Sequence, residues 1–145
     1  NLWEHEMGPE GGDEFNLIEA GGNYGWPLAS NGRNYGSPTD DIPDHTPGDG
    51  FVAPVVFWTP SIAPSGLIFY TGDAFAAWKG DALICALAGK RLVRLHVTGK
   101  TAEIVQNIAM PNRVRSVAQA PDGALWIIED APTGGVVKLT PVFQQ

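Results

Sequence analysis

Residues 80–95, GDALICALAGKRLVRL, carry the pattern that decides the fold, and residues 122–139, DGALWIIEDAPTGGVVKL, repeat it. In each copy an apolar run is followed by a glycine-containing turn and then by a second, more amphipathic run, which is typical of a β-hairpin. Equivalent leucines, such as Leu83 and Leu125, stand 42 positions apart. A hairpin repeat of about 40–45 residues has the period of a β-propeller blade.

Two further strand candidates, residues 102–105 and 114–118, lie between the hairpins and bring the number of strands per period to about four, as a blade requires. Additional strand candidates occur at residues 1–6, 15–20 and 66–70, whereas only residues 73–79 suggest a helical turn. The pattern therefore predicts an all-β chain. Two copies of a hairpin would also suit a β-sandwich, in which strands recur every 8–12 residues, so the pattern alone leaves both architectures open.

The length of the chain fits only part of a closed propeller. Six blades of about 40 residues need roughly 240 residues, so a chain of 145 residues would hold about three to three and a half blades. We expect residues 1–145 to form one partial propeller domain whose open edges pack against preceding blades or another copy of the chain. The chain starts at Asn1 inside a strand-like run, so we also expect a processed or truncated N-terminus. Residues 29–50 are polar and rich in Pro and Gly, which predicts a long surface loop.

Composition excludes several classes of function. The formal net charge is −7 and no cluster of basic residues occurs, so a nucleic-acid partner is not expected. No apolar stretch approaches the roughly 18 residues that cross a bilayer, so no membrane span is expected. The single cysteine, Cys85, lies in an apolar run and is expected to be a buried core thiol.

Four segments carry a specific resemblance: residues 3–18, 22–27, 58–66 and 112–115. In this order they resemble the soluble aldose and glucose dehydrogenases that use pyrroloquinoline quinone, the glucose/sorbosone dehydrogenase family. The resemblance covers nearly the whole chain and matches the C-terminal part of the family. It implies a six-bladed β-propeller and a periplasmic or secreted enzyme. That enzyme would oxidise aldose sugars at C1 to lactones with pyrroloquinoline quinone, Ca²⁺ and an external electron acceptor.

The resemblance also implies metal ligands. Gly8 and Pro9 would offer backbone carbonyls to the Ca²⁺ that polarises the quinone, and Ca²⁺ accepts such oxygens. Asp13 and Glu14, which we expect on a Gly-rich turn, would bind a structural Ca²⁺ with the position of Tyr24. The residues by themselves leave two alternatives open: a plain turn at Gly8-Pro9 and a solvated acidic turn at Asp13-Glu14.

Cofactor contacts are implied for Arg113, Arg115 and Ser61. The two arginines are at positions i and i+2, so on a strand they face the same side, and guanidinium groups match the carboxylates of the tricarboxylate quinone. The Ser61 hydroxyl falls where the family has a small hydroxyl residue near the cofactor. Without the resemblance, the arginine pair would suit an exposed strand edge and Ser61 an ordinary turn.

The sequence departs from the family at two places. The glucose-specific branch has a cofactor-binding lysine where this chain has Ala88, so no cofactor lysine is assigned. The family's catalytic base is a histidine in a His-x-Gly-Gly context, which does not occur here, and His5, His45 and His96 receive no catalytic role. We therefore expect an active full-length enzyme and an inactive isolated chain. The alternative is a non-catalytic extracytoplasmic propeller fragment that serves as a carbohydrate-binding or interaction module.

Overall fold

The computed structural model describes residues 1–142, which are organised almost entirely as β-strands. They form two compact units, residues 1–64 with 99–101, and residues 65–98 with the chain from residue 102 onward. The predicted helical turn is present as one 3-10 turn at Ala76–Trp78. In this described part of the chain, no helix is long and apolar enough to cross a membrane.

The first unit is built on a three-stranded sheet and a two-stranded sheet. Its strands are β1 (Leu2–Glu6), β2 (Glu10–Gly11), β3 (Asp13–Ile18), β4 (Gly32–Arg33) and β5 (Val56–Trp58). The order is β1-β3-β5 in the larger sheet and β2-β4 in the smaller one. β1 runs antiparallel to β3, with Glu4 opposite Asn16 and Glu6 opposite Glu14.

Aromatic stacking anchors the core of the first unit. The rings of Trp3 and Phe15 stack with centroids 4.8 Å apart, and both side chains are buried. Strand β3 is buried on both faces, and its polar residues Asp13, Glu14 and Asn16 are buried with it. Because a buried polar group must find a partner or lose free energy, β3 is the element whose polar contacts shape the candidate site.

The second unit contains the repeated hairpins. Its strands are β6 (Pro64–Phe69), β7 (Ala82–Ala86), β8 (Arg91–Thr98), β9 (Thr101–Ala109), β10 (Val114–Gln119), β11 (Leu125–Glu129) and β12 (Val136–Leu139). β6 to β9 form one four-stranded sheet in chain order, and β10 to β12 form a three-stranded sheet in chain order. Four strands in chain order are the pattern of a propeller blade, and both predicted hairpins, β7-β8 and β11-β12, are antiparallel as expected.

The two sheets of the second unit pack on a shared apolar core. The buried residues are Tyr70, Leu83, Cys85, Leu92, Val114, Val117, Leu125 and Ile127. A Cβ at Gly66 would lie 2.8 Å from the Cα of Ser116, so only glycine allows β6 to approach β10 this closely. Cys85 is fully buried, as expected, and burial raises the pKa of its thiol to about 12.

Candidate functional site

A pocket in the first unit brings together four of the five residues predicted to bind calcium. Gly8, Pro9, Glu14 and Tyr24 all line it, and Glu6 shares the wall. Its volume is about 350 Å³, which lies within the range of small-molecule sites. The sequence alone could not show this convergence, because Tyr24 reaches the pocket only through the turn that follows β3.

The turn at Gly8 is held by close backbone packing. The Gly8 N–H donates to Oδ1 of Asp13 over 2.9 Å. A Cβ at Gly8 would overlap the carbonyl oxygens of Gly11 and Gly12, so the turn tolerates no side chain there. The Gly8-Pro9 segment is therefore fixed in place by its neighbours.

Asp13 is the residue that fixes this turn to a distant segment. Its side chain is buried, and its Oδ2 accepts the backbone N–H groups of Ile62 and Ala63, both over 2.7 Å. Its Oδ1 accepts the hydroxyl of Ser61 over 3.2 Å in addition to the Gly8 N–H. Four donors occupy this carboxylate, which favours a structural role over a calcium ligand.

The predicted Gly-rich turn at Asp13-Glu14 is wrong, because both residues lie inside strand β3. Successive side chains on a strand point to opposite faces, so the two carboxylates diverge and do not form one acidic pair. Only Glu14 lines the pocket with Gly8, Pro9 and Tyr24. The local acidic and glycine-rich composition indicated a turn, but donors about fifty positions away allow Asp13 to be buried in a strand.

Three carboxylates cluster on the paired strands β1 and β3. Burial raises the pKa of Glu4, Glu6 and Glu14, and the neighbouring carboxylate of Glu14 raises the pKa of Glu6 further. The Asn16 amide donates to Oε1 of Glu4 over 2.8 Å and to Oε2 of Glu14 over 3.1 Å. Glu4, Glu6 and Asn16 were not predicted as site residues from the sequence. Glu4 and Glu6 stand two positions apart, and this spacing could have indicated that they share one face of a strand.

The residues at this pocket fit a hard cation. Glu14 lines the pocket with a carboxylate that burial makes costly to ionise without a positive partner. In the described residues no group of three or more His, Cys, Asp or Glu side chains could hold a metal ion. A Ca²⁺ ion here would therefore need backbone oxygens, and Ca²⁺ accepts carbonyls and carboxylates together. Gly8, Pro9 and Glu14 offer that donor set.

Tyr24 and Ser61 have hydroxyl groups that are already engaged within the protein. The Tyr24 hydroxyl accepts the N–H of Glu19 over 2.7 Å and donates to the carbonyl of Leu17 over 2.9 Å. Because the phenol of Tyr24 is engaged, a metal ion would have to bind the backbone carbonyl of this residue. Ser61 donates its proton to Asp13 and accepts the N–H of Gly11 over 3.0 Å. Its oxygen can accept one more bond, but its hydrogen is committed.

The arginine pair lies in the second unit, with Arg113 directly before β10 and Arg115 as the second residue of that strand. Nε of Arg113 and Nη2 of Arg115 both donate to Oδ2 of Asp130, over 3.1 and 3.0 Å. Both arginines reach the same oxygen although they do not share a regular strand, because Arg113 precedes β10 and a β-bulge interrupts the β10–β11 register at Arg115. The hydrogen bond from Arg113 lowers the pKa of Asp130. Each guanidinium is about half exposed and keeps free N–H groups for an anion.

His96 and His45 both lie beside carboxylates of the protein. Nδ1 of His96 is 2.8 Å from Oδ1 of Asp81, which anchors the end of β8. The His45 side chain is buried although it belongs to the polar loop, with Glu14 at 3.9 Å and Asp49 at 3.3 Å. Most other residues at positions 29–50 are exposed, although Ala29, Ser30, Gly32 and Ile42 are buried and Gly32–Arg33 form β4. His45 joins this segment to the pocket through Glu14.

Comparison with known proteins places the chain among sugar dehydrogenases. The family model for Glucose / Sorbosone dehydrogenase matches residues 1–138. The aldose sugar dehydrogenase YliI of Escherichia coli is 38% identical over 145 residues, which covers 97% of this chain and 38% of that protein. A crystal structure of the soluble aldose sugar dehydrogenase from Escherichia coli in the apo-form superposes with a TM-score of 0.86 at 36% identity. It covers 97% of this chain and 41% of the other.

A cofactor-bound relative is also similar. The PQQ-bound form of the aldose sugar dehydrogenase from Streptomyces coelicolor has a TM-score of 0.68 at 28% identity, over 95% of this chain and 39% of the other. The chain thus spans less than half the length of these relatives. The predicted fold class, an all-β partial propeller, is confirmed by these likenesses and by the blade-type sheets.

Proposed function

This chain belongs to the Glucose / Sorbosone dehydrogenase family, and we propose that the protein that carries it is a quinone-dependent aldose sugar dehydrogenase. The reaction is oxidation of an aldose at C1 to a lactone, an oxidation of a CH–OH group. The proposed cofactors are pyrroloquinoline quinone and Ca²⁺. An external acceptor takes up the electrons. The likeness to a PQQ-bound aldose sugar dehydrogenase supports the choice of quinone.

The observation that carries the calcium part of the proposal is the pocket that joins Gly8, Pro9 and Glu14. Burial raises the pKa of Glu14, which means that ionising this carboxylate in the folded protein costs free energy. A bound Ca²⁺ ion would offset that cost. Two ions are proposed along this pocket: Gly8 and Pro9 would offer backbone carbonyls to the Ca²⁺ that polarises the quinone, and Glu14 would bind a structural Ca²⁺ with the backbone carbonyl of Tyr24. Asp13 holds the turn.

The arginines provide the proposed anchor for the quinone carboxylates. Arg113 and Arg115 share Asp130, so two guanidinium groups carry a single compensating carboxylate and retain a net positive charge for an anionic ligand. Asp130 also orients both side chains before a ligand arrives. Ser61 is proposed to accept a hydrogen bond at the cofactor edge, since its own proton is directed to Asp13.

Bound pyrroloquinoline quinone supplies the two-electron acceptor for the C1 hydride of the aldose, and Ca²⁺ supplies Lewis-acid polarisation. The residues of this chain bind and orient. We assign the proton-accepting base to none of its histidines, because none of them stands in the His-x-Gly-Gly context that the resemblance implies for that base. His5 likewise keeps no catalytic assignment. A periplasmic or secreted location is part of the same proposal.

Quinone binding by arginine variants of the full-length protein tests this function. We expect Arg113→Ala and Arg115→Ala each to weaken quinone affinity about 10- to 100-fold, because each removes a hydrogen bond to a charged group worth about 1.5–3 kcal/mol. Calorimetric titration with quinone in Ca²⁺ buffer measures the affinity. Lys138→Ala is the matched control, since Lys138 is a comparably exposed cation paired with Asp122 over 3.0 Å. Equal affinities in all four proteins would contradict the proposal and favour a binding module without quinone chemistry.

A further inference from the structure

We propose that His45 is a positioning residue for the structural Ca²⁺ ion, which holds the Glu14 carboxylate and the Tyr24 turn in the arrangement that binds the metal. This inference rests on the proposed function, because it takes Glu14 and the carbonyl of Tyr24 as ligands. His45 does not itself line the pocket that Glu14 and Tyr24 share. It lies behind the wall of that pocket and approaches the wall from inside the protein.

The burial of His45 is unusual for its place in the chain. Its side chain is only 5% exposed, although the neighbouring residues Asp44 and Thr46 are exposed. Within residues 1–142, neither ring nitrogen of His45 makes a hydrogen bond of good geometry. Burying polar nitrogens without hydrogen bonds costs free energy, so packing alone does not explain a histidine at this position.

Each ring nitrogen of His45 faces a carboxylate oxygen. Nε2 is 3.9 Å from Oε1 of Glu14, which is the reach of an ion pair and longer than a hydrogen bond. Nδ1 is 3.3 Å from Oδ2 of Asp49. An N–H on Nε2 attracts Oε1 of Glu14, while the Asn16 amide donates to the other oxygen, Oε2, over 3.1 Å. A carboxylate has about four lone-pair positions, so donors on both oxygens orient it and leave lone pairs for a cation.

Asp49 and Phe51 hold the imidazole ring of His45 from its other side. Oδ2 of Asp49 accepts the N–H of Thr46 over 3.1 Å, and its Oδ1 accepts the N–H of Phe51 over 2.9 Å. The Asp49 carboxylate is therefore fixed by the backbone of its own turn. The Phe51 ring meets the imidazole edge-on, with centroids 6.4 Å apart. These two contacts restrict rotation of the imidazole and keep Nε2 directed at Glu14.

The imidazole also packs against the turn that carries Tyr24. A Cβ at Gly25 would lie 2.9 Å from Cε1 of His45, so the ring fills the space beside the residue that directly follows Tyr24. Gly25 has a φ of +98°, a conformation that glycine adopts readily. The N–H of Val52 donates to the carbonyl of Asn23 over 2.8 Å, which ties the segment after His45 to the same turn. One residue outside the pocket thus approaches both the carboxylate and the turn that offers the carbonyl.

Metal affinity of His45 variants tests this role independently of turnover. Tb³⁺, a luminescent substitute for Ca²⁺, is titrated into the full-length protein free of quinone, with Trp26 of the pocket wall as a sensitiser. We expect His45→Phe, which keeps a buried ring but has no ring N–H, to weaken Tb³⁺ affinity about 10- to 100-fold. His45→Gln keeps an amide N–H near the Nε2 position and should bind Tb³⁺ within about threefold of the parent. His45→Asn has its N–H near the Nδ1 position and should bind as weakly as His45→Phe.

Two further variants define the signal. Glu14→Gln removes the proposed carboxylate ligand, so luminescence that this variant loses, and that Ca²⁺ displaces, belongs to the structural ion. His96→Phe is the matched control, because His96 also lies 2.8 Å from a carboxylate, that of Asp81, but belongs to the second unit. It should bind Tb³⁺ as the parent does. Melting curves in chelator report whether each variant is folded, and if His45→Phe is not, the comparison of His45→Gln with His45→Asn decides.

The outcomes separate this inference from the proposed function. Loss of affinity in His45→Phe with recovery in His45→Gln supports the positioning role. Parent-like affinity in a folded His45→Phe would show that the ring only packs, and recovery in His45→Asn but not in His45→Gln would assign the effect to Asp49. Either result, or recovery in neither variant, would overturn the inference while the calcium part of the proposed function stands. A parent protein without a Glu14-dependent ion would contradict both.

Discussion

The replacement Asp13→Asn probes the contact that links the Gly8 turn to the segment after β5. The Asp13 carboxylate is 1% exposed and accepts four hydrogen bonds, two of them from backbone N–H groups at 2.7 Å. An asparagine has nearly the same shape but only one acceptor oxygen, and its amide nitrogen is a donor. The substitution therefore changes hydrogen bonding with little change in packing.

The magnitude follows from the donors that remain. The asparagine oxygen can still accept the N–H groups of Ile62 and Ala63, and Ser61 can rotate its hydroxyl to accept from the amide. The Gly8 N–H would then face another donor and lose its partner, which costs about 1–3 kcal/mol. The hydrogen bonds from the Ile62 and Ala63 N–H groups would then end on a neutral amide oxygen instead of a carboxylate, which weakens each by about 1 kcal/mol. We expect a total destabilisation of about 3–5 kcal/mol.

Hydrogen exchange of the full-length protein measures this loss where it occurs. Peptides that contain the Ile62 and Ala63 amides should exchange at least about a hundredfold faster in Asp13→Asn, because local opening becomes easier by at least 3 kcal/mol. Asp73→Asn is the control, since Asp73 sits in a surface ion pair with Lys79 and such pairs contribute about 0–1 kcal/mol. Exchange of these peptides within about threefold of the parent would refute the argument that Asp13 is a structural clamp.

Three further predictions concern the charged and reactive groups. Because burial raises the pKa of Glu14 in the folded protein, the stability that its protonated form contributes is present below pH 4.5 and is lost as the pH rises through the folded-state pKa. Glu14→Gln should therefore raise the melting temperature at neutral pH when a chelator is present. Added Ca²⁺ should stabilise the parent more than the variant. Arg113→Ala should raise the pKa of Asp130, measured by carboxyl-carbon NMR titration, and should do so more than Arg115→Ala does; equal shifts would contradict the leading role of the Arg113 hydrogen bond. Cys85, with its pKa near 12, should not react with a thiol reagent at neutral pH until the protein is unfolded in denaturant, and rapid reaction of the folded protein would contradict its burial.

The hairpins of the second unit were predictable because their cause is local. Apolar residues such as Leu83 and Leu125 recur with the blade period, and the turns between the strands carry glycine. Each strand needs only its own pattern and its neighbour in the chain to pair, as β7 does with β8. The positions of the buried leucines follow directly from that pattern.

The polar residues of the site could not be placed in the same way, because their partners are distant in sequence. Asp13 and Glu14 were expected on a Gly-rich turn, yet contacts with Ser61, Ile62 and Ala63 allow Asp13 to be buried within a strand. Asp130 was missed because its role depends on the pairing of β10 with β11, which sets it beside both arginines.

We propose that the full-length protein oxidises aldoses with quinone and Ca²⁺. Dye-linked oxidation by the purified full-length protein tests it most directly, with quinone and Ca²⁺ supplied together, singly or not at all. We predict turnover of at least one aldose only when both are present, and a strong loss of turnover at limiting quinone in the Arg113→Ala/Arg115→Ala variant but not in Lys138→Ala. Absence of turnover on every aldose tried, or equal turnover without quinone, would contradict the account.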